Sequence, residues 1–523
     1  MNANNGTTST SEISSAAGSS SAAGNAQAPR NKSYIKTPEG RYEILFDRSY
    51  PYGISHANAK AASQVRMSYC GSPKLTKHYW SPSVKILDLI SFDQAKVANL
   101  KEKEPRPSLA ASPSSFSFSN SFSIRSVPAR LLGSNNGGSK SAGHIRAGSL
   151  SNTSPTSNSA LNSEGKGTYL ILNLGDAIFI SNLVTQDKEP CKSINLGYST
   201  VNCHAFDEDA KDGHDLLIGL QTGEVLSASL RQQLRETGKK LTGAHQYNKD
   251  GCVNNSRCTW IAWVPGEKGL FVAAHADGNL YVYDKNKEST PEPNFPPVKD
   301  PNQFSVSHAR YSKCNPISKW HICVGAIYGI GFSSDGNYLA TVGRDGYLRV
   351  FDYKKEQLAC GCKSFYGALL CCAWSDDGKY IAMGGEDDLV QVWSMVEKRT
   401  VAWGEGHNSW VRGVSFDSHW PGGRNGNATY RFGSAGEDTR LLLWNLEVDE
   451  KAAIPHREND GVLRKMRSLG DIPKMTAVAA HRAHSDALSS VIFTPRFVLA
   501  ACSDGHVKAW SRPDKNGSQL GSV

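Results

Sequence analysis

Five times along this chain an Asp stands six residues ahead of an aromatic: in HADGNLYVYD, GRDGYLRVFD, GEDDLVQVWS, GEDTRLLLWN and CSDGHVKAWS. The pairs are Asp277 with Tyr283, Asp345 with Phe351, Asp387 with Trp393, Asp438 with Trp444, and Asp504 with Trp510. Aromatics make up 9% of the residues, so one such pair means little, but five in the same alternating apolar setting indicate an internal repeat. Each unit reads as two strands around a tight turn, with the Asp carboxylate accepting hydrogen bonds in the turn and the aromatic packing within the second strand. Upstream lies another strand and turn, and IYGIGFSSDGNYLATVG and LLCCAWSDDGKYIAMGG are near copies. Asp345 to Asp387 is 42 residues, the length of one four-stranded propeller blade.

Counting units gives an all-β, seven-bladed WD-repeat β-propeller. Clear blades begin near Cys258, Ala326, Gly367, Trp410 and Asp486, and a degenerate one, lacking the turn Asp, precedes them. TYLILNLGDAIFISNL supplies only two strands of a seventh, whose first strand is expected from VKILDLISF at 84–92. Seven blades close a ring and leave no long exposed sheet edge. Two longer intervals, 286–324 and 447–483, are expected to be surface excursions between blades.

Outside the repeats the texture changes. Residues 1–33 are dominated by Ser, Ala, Gly, Asn and Thr, which cannot bury enough apolar surface to offset the chain entropy lost on ordering. From Pro107 to Lys166, 18 of 60 residues are Ser, and five Lys or Arg face one acid, Glu164. The expected layout is a disordered tail (1–33), an N-terminal segment holding the first strand of blade one (34–92), a Ser-rich disordered insertion in that blade (93–167), the propeller (168–513) and a flexible tail (514–523). The tract 107–166 carries +4 of the formal +9, so the folded part is only slightly basic and no nucleic-acid-binding surface is expected. No stretch approaches the roughly 18 apolar residues of a membrane span, and MNANNGTTST lacks a secretory signal's charged and apolar regions. A soluble protein of the cytoplasm and nucleus is expected, with no membrane partner. Twelve scattered cysteines without a CxxC pair point to thiols in a reducing compartment.

Reactive arrangements are few. There is no GxSxG, HExxH or GxGxxG. GSNNGGSK from Gly133 echoes a phosphate loop with its Ser and Lys reversed and no strand before it. HRAHSD, His481 to Asp486, has ligand-type residues, but an AH dipeptide opening a strand reads as a turn fixed by hydrogen bonds, and no metal, cofactor or catalytic residue is expected. The repeated Asp residues are spread around a ring rather than converging on a pocket. What remains is a rigid ring whose default task is protein binding. Ahead of three first strands stand large aromatics: Trp320, the pair Phe365 and Tyr366, and Trp410, candidate partner anchors. Ser112 and Ser154 precede proline and Arg146 stands three before Ser149, marking these serines as candidate phosphorylation sites.

The wording of several segments is distinctive. CTWIAWVPGEKGLFVAAHADGNLYVYD, KSFYGALLCCAWSDDGKYIAMGGEDDLVQVWS, GHNSWVRGVSFD and AHRAHSDALSSVIFTPRFVLAACSDGHVKAWSRP closely resemble the family of WD repeat-containing protein 20, the dystrophia myotonica WD-repeat protein and the fungal catabolite repression protein CreC. The resemblance spans roughly 165–513, with EGRYEILFD and VKILDLISF in addition. It implies a non-catalytic cofactor that binds a ubiquitin-specific protease and raises its turnover allosterically, with room for a second WD-repeat protein as partner. The family's aromatic contacts match Tyr366 and Trp410, although its usual Phe is Tyr at 366 with Phe at 365. The competing expectation is a substrate receptor of a cullin-type ubiquitin ligase, whose WDxR signature has its nearest match in Phe351, Asp352, Tyr353 and Lys354. A general protein-interaction scaffold is the third.

Overall fold

A computed structural model describes residues 34–51, 66–70, 168–183, 187, 189–207, 209–210, 212–290, 295–420, 428–448, 461–465 and 467–513. They form seven antiparallel sheets of four or five strands, two of the sheets carrying a short parallel strand on the outer edge. Taken in ring order as blades 1 to 7, the innermost strands are Arg66–Cys70, Val201–Phe206, Cys258–Trp263, Ile327–Phe332, Leu369–Trp374, Val411–Phe416 and Leu488–Phe493. Neighbouring inner strands touch all the way round, and Arg66–Cys70 touches both Val201–Phe206 and Leu488–Phe493, closing the seven-bladed propeller.

The strand sequences follow from where they sit. Second strands lie between neighbouring blades and are apolar on both faces: Leu216–Leu220, Tyr380–Gly385 and Phe497–Cys502 are buried at every position. The outer strand Arg399–Gly404 is buried only at alternate residues, as a strand with one wet face should be. A β-bulge recurs just inside the first strand of six blades, at Val201/Cys203, Cys258/Trp260, Ile327/Gly329, Leu369/Cys371, Val411/Gly413 and Leu488/Ser490. Its repetition adds the same local twist to each blade. The repeat aromatics are among the largest side chains of the core: Tyr283, Phe351, Trp393, Trp444 and Trp510 are all at most 1% exposed.

Three features depart from expectation. The strand that completes blade 1 is Arg66–Cys70, paired from Cys70 opposite Tyr169 to Arg66 opposite Asn173, and the expected donor at 84–92 lies outside the described residues. The N-terminal hairpin Tyr34–Thr37 and Gly40–Ser49 joins the last blade, its second strand pairing with His506–Ser511, so blade 7 is built from both ends of the chain. Neither long interval is a mere excursion. The first supplies the outer strand of blade 3, Ser318–His321, and a fifth strand, Ser305–His308, beyond it. The second lays Val462–Arg464 parallel to the outer strand of blade 4 and Lys474–Met475 parallel to that of blade 5, and only then returns to blade 6 as Ala477–Arg482.

Candidate functional site

The strand registers decide which loops share a face. In blade 4 the start of the first strand, Ile327, pairs with the end of the second, Gly343, and the start of the third, Tyr347, pairs with the end of the fourth, Lys363. The turns between second and third strands and the loops leading into the next blade therefore lie at one end of the ring, and the turn Asp residues share that face with Phe365, Tyr366 and Trp410.

Turn chemistry is uniform. Asp277, Asp345, Asp387 and Asp438 each accept, through Oδ1, the backbone N–H two residues on, from Asn279, Tyr347, Leu389 and Arg440 at 3.1–3.2 Å. The second carboxylate oxygen then braces something local: Asn254 and Asn279 for Asp277, Arg349 at 2.6 Å for Asp345, Gln391 at 3.0 Å for Asp387. In blade 6 the bracing extends into a chain. Trp444 Nε1 donates to Ser434 Oγ at 2.8 Å, Ser434 Oγ lies 2.7 Å from His407 Nε2, and His407 Nδ1 lies 3.0 Å from Asp438 Oδ1. A Ser, a His and an Asp in series have the order of a nucleophilic triad, but Ser434 is 0% exposed and already accepts the indole N–H, so no substrate reaches it. Burial is the largest influence on Asp438 and opposes ionisation; the hydrogen bonds from His407 and the N–H groups of Asn408 and Arg440 outweigh it and hold the carboxyl below its ordinary range. The chain is a structural clamp on the loop 405–410.

That clamp matters because of what the loop carries. Trp410 is 41% exposed although it is a large apolar residue, and its carbonyl accepts the Glu437 N–H at 2.9 Å. One blade earlier, Tyr366 is 74% exposed at the tip of a loop held by Ser364 Oγ, which donates to the Gly367 carbonyl at 3.0 Å, and by Glu386, which accepts the Ala368 N–H at 3.0 Å. Burial pushes Asp387 up to about 6 against hydrogen bonds from the Leu389 and Tyr366 N–H groups, so this carboxyl also grips the Tyr366 backbone. Val324 at 58% and Tyr198 at 60% exposure precede the first strands of blades 4 and 2 on the same face. The result is an arc of exposed apolar side chains on rigid mounts, with Arg412 and Glu437 paired at 2.9 Å beside Trp410. An aromatic held rigidly in water loses little entropy on meeting a partner. Tyr198 and Val324 were missed in the sequence because neither sits in a repeat signature.

Phe365, beside Tyr366 in the same loop, is half-buried. Trp320 is corrected. It lies in the outer strand of blade 3 and is 1% exposed, stacked on Tyr353 at 5.5 Å and edge-on to Phe304 and Phe351. It packs between blades and cannot be a partner anchor. His484, in the cluster at 481–486, lies 3.2 Å from the Ala500 carbonyl, and burial, the largest cause, together with Lys508 pulls it down to about 4. Among the described residues no three His, Cys, Asp or Glu side chains come together as a metal site, and no helix is long and apolar enough to cross a membrane. The candidate phosphorylation sites Ser112, Ser149 and Ser154 lie outside the described residues. Along the ring axis the inner strands line a cavity of about 470 Å³ with Tyr328, Trp260, Leu370, Arg412 and Ser490 on its wall.

The repeat family that the sequence matches agrees with this geometry. The family described as WD domain, G-beta repeat matches residues 314–352, 361–394 and 475–511. The "WD repeat-containing protein 20" of Mus musculus is 34% identical over 322 residues, which are 53% of this chain and 54% of that protein. This chain thus spans about half the length of that relative. A chain of the "Crystal Structure of Mitotic Checkpoint Complex" superposes with a TM-score of 0.45 at 15% identity, over 66% of this chain and 87% of that one. The chain carries WD40 repeats on a seven-bladed propeller, and the resemblance to WD repeat-containing protein 20 that its motifs carry is upheld.

Proposed function

We propose that this WD-repeat scaffold is a non-enzymatic cofactor that binds a ubiquitin-specific protease in the cytoplasm and nucleus and activates it allosterically, using the face that carries Tyr366 and Trp410. The observation that carries the reading is the pairing of these two exposed aromatics on adjacent, independently braced loops, at positions matching the contacts of the resembled family. Exposed aromatics that serve as anchors typically contribute about 2 kcal/mol or more each to a complex. Tyr366 is 74% and Trp410 41% exposed, so neither belongs to the buried core of the blades.

The test is ubiquitin cleavage by a panel of purified ubiquitin-specific proteases, with the full chain added at increasing concentration. Stimulation by the parent and its loss in a Tyr366→Ala, Trp410→Ala double variant of unchanged melting temperature is the expected result. Stimulation that survives the double variant removes this face from the reading, and no stimulation or binding with any protease of the class removes the reading itself. Lys354→Glu, on the opposite face, probes the ligase-receptor alternative: binding to a cullin adaptor that this change abolishes would favour that role. Phe351 is not a usable probe there, since it is 0% exposed and its truncation would damage the core.

A further inference from the structure

The loop that carries Trp410 is braced from outside the ring as well as from blade 6. Trp403, in the outer strand of blade 5, donates its indole N–H to the carbonyls of Leu469 and Ile472 at 3.2 and 3.1 Å. Its backbone N–H donates to the Pro473 carbonyl at 3.1 Å, and the Lys474 ammonium sits 5.1 Å from its ring centre. Lys474 in turn pairs with Glu405, five residues before Trp410. The strap formed by 461–475 is thereby tied to the base of the Trp410 loop. It is lightly held itself, by three paired residues on blade 4 and two on blade 5. Short outer pairings of this kind open far more readily than the blades beneath them.

Between the two attachments runs RKMRSLG, residues 464–470. Ser468 is exposed, its backbone is extended at φ −58° and ψ 139°, and its hydroxyl makes no capping hydrogen bond to the 3-10 turn Leu469–Asp471 that follows. Arg464, Lys465 and Arg467 stand four, three and one residues before it, and apolar Leu469 stands one after. Lys465 and Arg467 are exposed. Cations ahead of a reachable serine, with an apolar residue behind, suit an acidic substrate cleft through charge complementarity.

We propose that Ser468 is a phosphorylation site for a basophilic serine/threonine kinase, and that its phosphate loosens the strap from Trp403 and so the loop bearing Trp410. The regulatory half rests on the protease-binding reading above. Ser468 Oγ attacks the γ-phosphorus of Mg-ATP, the bond from that phosphorus to the β-phosphate oxygen breaks, ADP departs, and the hydroxyl proton passes to the kinase's base. The product carries about −1.5 to −2 charges at neutral pH, three residues from the Asp471 carboxylate in the same turn. Repulsion between the two works against the turn that presents the Leu469 and Ile472 carbonyls to Trp403.

The full chain is incubated with Mg-ATP and either the catalytic subunit of cyclic-AMP-dependent protein kinase or protein kinase C, and phosphates are mapped by tandem mass spectrometry. The free peptide RKMRSLG runs alongside. Phosphate on Ser468, lost in a Lys465→Ala, Arg467→Ala variant, is the expected result. A modified peptide with an unmodified Ser468 in the full chain overturns the proposal, because the fold then shields the residue; so does failure of both kinases on the peptide. Amide exchange over 405–412 in treated parent against treated Ser468→Ala reads the coupling without any protease. Faster exchange in the phosphorylated parent supports it, and unchanged exchange sinks the regulatory half whether or not a protease binds.

Discussion

Replacing Glu39 by Ala should weaken the whole ring, although Glu39 sits in a two-stranded hairpin at the edge. Its carboxylate pairs with Arg431 of blade 6, whose side chain is only 1% exposed. That guanidinium also donates to Asn445 Oδ1 at 2.7 Å and lies 3.7 Å from the centre of the Trp420 ring. Removing the carboxylate leaves a buried cation with one neutral acceptor and a ring face, a situation that typically costs about 3–5 kcal/mol. The lower end applies, because the Glu39 side chain is itself 20% exposed and water can follow into the vacated space. Unfolding entropy of about 2.1 cal/mol/K per residue over the roughly 340 described residues is about 0.7 kcal/mol per kelvin, so ~3 kcal/mol lowers Tm by ~4 °C. Scanning calorimetry at neutral pH measures it, and Glu39→Ala with Arg431→Met should recover at least half, since no unpaired charge remains. The pH dependence has a definite sign. Burial, the largest influence on Glu39, works to raise its pKa, but the hydrogen bond and charge of Arg431 help hold it below 4.5. The pair's contribution is therefore complete above 4.5 and fades as pH falls through the lower folded value. A Tm shift under about 1 °C at neutral pH would refute the assignment of Arg431 as a cation dependent on Glu39.

Two further substitutions follow from the geometry. Asp215, 4% exposed, is pushed up to about 7 by burial, against the hydrogen bond it accepts from the Leu230 N–H at 2.6 Å. Its folded value exceeds the unfolded one, so its own contribution to stability is greatest below about pH 4 and declines as pH rises towards 7; the Tm of Asp215→Asn minus that of the parent should become more positive from about pH 4 to pH 8, and a flat difference refutes it. Gly278 turns at φ +83°, and a Cβ there would stand 1.8 Å from the Cys323 carbonyl oxygen, so Gly278→Ala should cost about 3 kcal/mol or more in denaturant unfolding. A cost below about 1 kcal/mol would mean that the Cys323 loop moves freely.

Blades 3 to 7 were readable because their signal is local. An Asp that must accept a hydrogen bond two residues on, and an aromatic that must fill the gap between blades, leave a mark at fixed spacing. Blade 2 dispenses with the Asp, since Glu224 serves its turn instead, accepting from Thr222 Oγ1 at 2.8 Å. What was not readable is pairing over long distance. Arg66–Cys70 is only five residues, whereas VKILDLISF offers nine with a stronger apolar pattern, and only the ring's closure selects between them. Trp320 was misjudged for a related reason: an outer strand ends immediately before the exposed loop, so two or three residues separate a packed indole from an exposed side chain such as Val324. Tyr366 and Trp410 were legible because they lie after the last paired residues, Lys363 and Gly404, on loops too short to fold back over them.

Blade 7 has a consequence for the life of the protein before it is complete. Its outer strand is made first and its inner three last, with Glu43 and Ser511, partners in the finished sheet, 468 residues apart. At about 5–20 residues per second the hairpin waits roughly 25–95 s on the ribosome before its partner strand is synthesised. For that time Tyr42 and Ile35, buried in the finished ring, face solvent or a chaperone. The propeller can be closed only after the last blade has left the ribosome, and loss of either terminus damages the same blade.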